Sequence, residues 1–118
     1  MGLASYGKPT FLPQMREIVQ LQEDGSFRLH LDYFRHHKEK ISYEWDDGSP
    51  TFGPLFSEAL ADLLGPTRSP EEPLEERHRD IAHSVQAMYQ EAFFHLLNRL
   101  HEQHGEDAVA VALSLIHI

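Results

Sequence analysis

The apolar positions of this chain recur first at a spacing of two and later at spacings of three and four. In "REIVQLQEDGSFRLHLDYF", Ile18, Val19 and Leu21 form one apolar run, and Phe27, Leu29 and Leu31 alternate with Arg28, His30 and Asp32. Alternation lines one face of a strand, and Asp24-Gly25 supplies positive φ at low steric cost, so the pattern predicts a β-hairpin. Upstream, the span from Pro9 to Pro13 leaves room for no more than a short helical turn toward Met15. Downstream, "RHHKEKISYEWDDGSPTFG" is polar, aromatic and turn-rich, with room for one short strand around Ile41 to Trp45.

The period then becomes helical. "PLFSEALADLLG" reads as a compact helix with Pro54 in its first turn, Gly65 just past its end and Leu55, Phe56, Ala59, Leu60, Leu63 and Leu64 as its stripe. "PTRSPEEP" holds three prolines and predicts an extended linker. From about Leu74 to His104, Ile81, Val85, Met88, Ala92, Leu96 and Leu100 recur at three- and four-residue steps, and Tyr89, Phe93 and Leu97 widen the band. Gly105 ends this long helix. The tail "DAVAVALSLIHI" reads as a buried terminal strand. The order of hairpin, helix, linker, long helix and strand gives an α/β or α+β element set. The apolar band asks for more sheet than the chain supplies, since a lone hairpin is marginal in water.

Composition narrows the function classes. With 118 residues the chain is one domain in size, and 41% hydrophobic with 25% charged residues fits a soluble globular protein. Nineteen acidic against ten basic residues give a net charge of −9, which opposes a phosphate grip on nucleic acid and docking on an anionic membrane. Cysteine is absent, which removes disulfides and thiolate zinc sites. No apolar stretch approaches the ~20 residues of a membrane span. A cytoplasmic protein without nucleic-acid or membrane partners is expected.

Candidate chemistry is sparse. Nine histidines include the adjacent His36-His37 and the pair His101/His104, which shares a helical face, but the carboxylates of Glu102, Glu106 and Asp107 stand in no ligand spacing to that pair. "HRDIAHS" collects His78, Arg79, Asp80, His83 and Ser84, yet spacing alone places no base between Asp80 and Ser84, and the helix dipole explains an early aspartate. Walker, GxSxG and HExxH patterns are absent. The opening "MGLASYGKP" is the best candidate. Its glycines let a ligand approach the backbone, its amides offer an anion site, and Lys8 adds positive charge.

Three segments in order resemble the O-carbamoyltransferases, the family of nodulation-factor and antibiotic-tailoring enzymes such as tobramycin carbamoyltransferase. "MGLASYGKP" is similar to their turn motif and "DGSFRLHLDYFRHH" to their hairpin. "LLGPTRSPEEPLEERHRDIAHSVQAMYQEAFFHLL" resembles their helix, linker and long helix, with Arg77 to Ala82, Ser84 and Gln86 at the typical positions. The resemblance runs to about Ala112. The hairpin motif and the proline linker favour this family over the related tRNA threonylcarbamoyl-transfer enzymes.

The resemblance implies a piece of a sugar kinase/actin-like N-terminal domain. It also implies an activity: carbamoyl-adenylate is made from carbamoyl phosphate and ATP, and the carbamoyl group passes to a hydroxyl of a small molecule in a cleft with an iron-type divalent metal. Gly2, Tyr6, Gly7 and Lys8 match the turn that lies beside nucleotide in the family, and are the cofactor-binding candidates. No residue here matches a metal ligand, since the family's metal-binding histidines lie upstream, and no catalytic residue is carried over. Arg77, His78, Arg79 and Asp80 are expected to set the start of the long helix. Met1 is then expected to be an internal methionine of a longer enzyme, residues 1–112 a partial domain inactive alone, and "LSLIHI" at 113–118 an aberrant tail where a Gly-Gly turn belongs. A self-contained acidic helical interaction module is the competing reading, resting on the wide apolar band.

Overall fold

The computed structural model describes residues 2–45 and 48–110. A 3-10 turn at Gly2–Tyr6 leads into helix α1 (Leu12–Ile18), strand β1 (Val19–Leu21), strand β2 (Phe27–Leu29) and a second 3-10 turn at Leu31–Tyr33. Strands β3 (Tyr43–Glu44) and β4 (Thr51–Phe52) follow, then helix α2 (Glu58–Leu64) and helix α3 (Glu76–His104). Both pairs are antiparallel: β1 with β2, Val19 opposite Leu29, and β3 with β4, Tyr43 opposite Phe52. The architecture is therefore α+β, and the described residues contain no parallel sheet.

The predicted hairpin forms, but shorter. Ile18 is taken by α1, which is a full seven-residue helix with Pro13 in its first turn, and Leu31 opens the 3-10 turn. At the hairpin's tip the Asp24 carboxylate accepts the Ser26 amide at 3.0 Å and the Ser26 hydroxyl at 2.6 Å. Gly25 has φ of 90°, and a Cβ there would also press on the Arg99 side chain, so glycine is required twice over. The strand expected near Ile41 to Trp45 exists as β3, and its partner β4 was not foreseen because Thr51–Phe52 is too short to show alternation.

Helix α2 starts at Glu58 and not at Pro54. Phe56 is held in a bridge to Phe34, and the Arg35 amide donates to the Leu55 carbonyl at 2.9 Å, so this stretch is extended. Helix α3 runs 29 residues, about 43 Å at the usual rise. Glu75 and His78 close a capping box at its start, and Gly105 takes a left-handed conformation at its end. The Arg77 guanidinium donates to the Leu64 and Pro66 carbonyls at 3.0 and 2.9 Å, tying the end of α2 to the start of α3 across the extended linker. The expected terminal strand is not formed over Ala108 to Ala110, and its remainder, with the 113–118 tail, lies outside the described residues, as do Met1, Asp46 and Asp47.

The buried core is small. Met15, Ile18 and Met88 form it, with Phe11, Leu60, Leu64 and Ile81 packed around them. Arg16 on α1 reinforces the contact with two bonds to Glu91 on α3, at 2.9 and 2.6 Å.

Candidate functional site

The N-terminal turn lies against the start of α3. The Lys8 amide donates to Asp80 Oδ1 at 2.8 Å, and the Thr10 hydroxyl donates to Asp80 Oδ2 at 2.7 Å. One helical turn on, the Ser84 hydroxyl accepts the Phe11 amide at 3.0 Å and donates to the Asp80 carbonyl at 2.7 Å. His83 Nδ1 lies 2.8 Å from the Ala4 carbonyl. A carbonyl only accepts, so Nδ1 carries the proton.

Helix geometry explains the set. Asp80, Ser84 and Met88 are the buried residues of α3 and follow one another at four-residue steps, so one line of the helix surface holds all three. Met88 packs on α1, while Asp80 and Ser84 meet the backbone where the chain enters α1. Helix α1 has no side-chain cap of its own, and its entry at Phe11 is held by Ser84 instead. Two backbone N–H groups are thereby satisfied by side chains more than seventy residues away.

Asp80 is held below the usual carboxylate range. The bond from the Lys8 amide is the largest cause, the Thr10 hydroxyl adds to it, and attraction to the Lys8 ammonium and to His83 helps outweigh desolvation. The helix dipole alone is therefore not the reason for an aspartate here. Nor is Ser84 a nucleophile: its side chain is fully buried and committed on both sides.

The four cofactor candidates separate into different roles. At Gly7, a Cβ would fall onto the Arg79 carbonyl, so its missing side chain allows close contact with α3. At Gly2, a Cβ would meet nothing within 4 Å. The amides of Gly7 and Lys8 are not open to an anion, because one donates to the Ala4 carbonyl at 3.3 Å and the other to Asp80. What the turn presents outward is the Tyr6 ring, 77% exposed, and the Lys8 side chain.

Sequence reasoning grouped His83 with Asp80 and Ser84 but missed Thr10 and the Phe11 amide as parts of this unit. A signal existed in the polar Asp80 and Ser84, which stand in four-residue register with Met88 inside an otherwise apolar stripe. The histidine pairs lead elsewhere. His101 Nδ1 donates to the Glu106 carbonyl at 2.9 Å, and the His36 and His37 rings meet edge-on at 6.0 Å between centroids. Among the described residues no group of three or more histidine, aspartate or glutamate side chains is placed to hold a metal.

Two hollows flank the unit. A cavity of about 320 Å³ lies between Ala4 and Ser5 of the first turn and His83, Gln86, Ala87 and Gln90 of α3. A larger apolar groove of about 740 Å³ opens between the β1–β2 hairpin and α3. Among the described residues no helix is long and apolar enough to cross a membrane.

No family model matches the chain. It is similar to a Synechocystis sp. protein named "Uncharacterized protein sll1178", with 33% identity over 114 residues. That match takes in 95% of this chain, and the chain spans 16% of the length of that relative.

Proposed function

We propose that this chain is part of the sugar kinase/actin-like N-terminal domain of a cytoplasmic, ATP-dependent O-carbamoyltransferase. In that reading the longer protein makes carbamoyl-adenylate from carbamoyl phosphate and ATP, and passes the carbamoyl group to a hydroxyl of a small molecule. The observation that supports it best is the joining of "MGLASYGKP" to "RHRDIAHS" through the bonds of Asp80 to Lys8 and of His83 to Ala4. These are two of the segments that carry the resemblance, and a shared site is what would require them together.

The segment positions and does not react. Asp80, Ser84 and His83 fix the turn, which leaves the Tyr6 ring to stack on a nucleotide base and the Lys8 ammonium to pair with a phosphate. Gly7 gives the turn its seat, and Gly2 its open end. The iron-type metal belongs, in this reading, to parts of the longer protein outside these residues, where the resemblance puts the family's metal-binding histidines.

The test is carbamoyl transfer from radiolabelled carbamoyl phosphate in a longer protein that contains this segment. ATP-dependent transfer is expected, with Tyr6→Ala and Lys8→Ala raising the KM for ATP, and no turnover is expected from the 118-residue chain. Transfer that proceeds without ATP, or an ATP requirement untouched by both substitutions, contradicts the assignment. The competing reading of a self-contained interaction module draws on the open groove and requires no nucleotide effect at all.

A further inference from the structure

We propose that the apolar groove between the β1–β2 hairpin and α3 is an internal docking surface, filled by apolar side chains from the remaining polypeptide of a longer protein. The inference concerns burial and does not rest on the carbamoyl-transfer reading. Phe27, Leu29, Val85, Tyr89, Phe93 and Leu96 wall the groove. The α3 residues among them fall at steps of four, four and three, a single helical seam about 16 Å long.

These walls are exposed in a way a finished surface avoids. Phe27 is 56% exposed, Val85 51% and Leu96 45%. They form one continuous hollow of about 740 Å³ and are not scattered singly. Among the described residues, the core cluster beneath the groove holds three buried side chains, Met15, Ile18 and Met88. Filling the groove would extend that core across both the hairpin and the helix.

Three occupants compete. A small apolar ligand is disfavoured because the groove offers few polar groups to orient one, only the Ser26 and Tyr89 hydroxyls among the side chains of its described lining. A second copy is disfavoured because each chain carries a net charge of −9, and like charge opposes pairing. The remainder of a longer chain is favoured by the relative. Its similar segment is 16% of its length, so that protein has ample further polypeptide to cover this face.

The absence of cysteine makes the test direct. Val85→Cys, Leu96→Cys and an exposed control, Glu71→Cys, are labelled with a thiol reagent, first in the 118-residue chain. Far-UV circular dichroism confirms helix content, and the half-exposed positions tolerate the change. All three thiols are expected to react at similar rates, whatever the protein concentration. The same substitutions at the aligned positions of the Synechocystis protein, its own cysteines replaced, are expected to leave the two groove thiols about a hundredfold slower than the control. Equal rates in the long protein overturn the inference. Protection that grows with concentration in the short chain also overturns it, in favour of a second copy. Amide exchange of the unsubstituted groove residues in both proteins gives the same answer should a cysteine variant fail to fold.

Discussion

The carboxylate of Asp80 accepts the backbone N–H of Lys8 at 2.8 Å, joining residues 72 positions apart in sequence. Its other oxygen takes the Thr10 hydroxyl, so both sides of the carboxylate are committed to the N-terminal turn. The stability this provides depends on pH. Asp80 titrates below its ordinary value in the folded chain, so its contribution is complete above about pH 4 and is lost as pH falls through the lower folded value. Asp80→Asn keeps the shape and removes the charge. It is expected to lower Tm at neutral pH, with the gap to the unsubstituted chain closing under acid. An acid unfolding series by circular dichroism checks both.

Ser84 has no exposed surface and bonds to both Phe11 and Asp80. Ser84→Ala strands the Phe11 amide at the mouth of α1. The expected loss is about 1–3 kcal/mol, read from urea unfolding, because an orphaned donor costs more than a hydrogen bond contributes. An unchanged midpoint would show that water replaces the hydroxyl at no cost.

The two glycines of the opening turn are expected to differ sharply. Gly7→Ala drives a methyl into the Arg79 carbonyl and must push the turn off α3, at about 1–3 kcal/mol or more. Gly2→Ala meets open space and stays within about 0.5 kcal/mol of the parent. Thermal unfolding of both variants separates a glycine needed for packing from one that is not.

Much of the fold was legible from periodicity. The long helix, its Gly105 end, the proline linker and the β1–β2 hairpin follow from spacing and turn chemistry, which act locally. The start of α2 was misplaced because Pro54 suits a first helical turn as well as it suits an extended strand. The pairing of Phe56 with Phe34, which decides between them, is a tertiary contact. The site divides in the same way. "MGLASYGKP" stands out as a constrained turn, but the sequence cannot show that the constraint comes from Asp80 and His83. Nor can the sequence show that Gly7 sits against a helix backbone.

Met88 joins the two halves of the small core, packing against Met15 and Ile18 at 3% exposure. Met88→Ala is expected to cost about 2–5 kcal/mol, whereas Val85→Ala, facing the open groove, costs well under half of that in the 118-residue chain. Guanidinium unfolding of the two variants side by side tests whether the core lies where these three residues meet.

The central claim is that Asp80 and Ser84 hold the N-terminal turn in place. Backbone amide exchange measures it most directly. The Lys8 and Phe11 amides, early in the chain and outside any helix or strand ladder, are expected to exchange at least tenfold more slowly than free peptide. The Asp80→Ala variant should release Lys8, and Ser84→Ala should release Phe11, with the amides of the middle of α3 unchanged. Lys8 and Phe11 exchanging at free-peptide rates in the unsubstituted chain would contradict the claim outright.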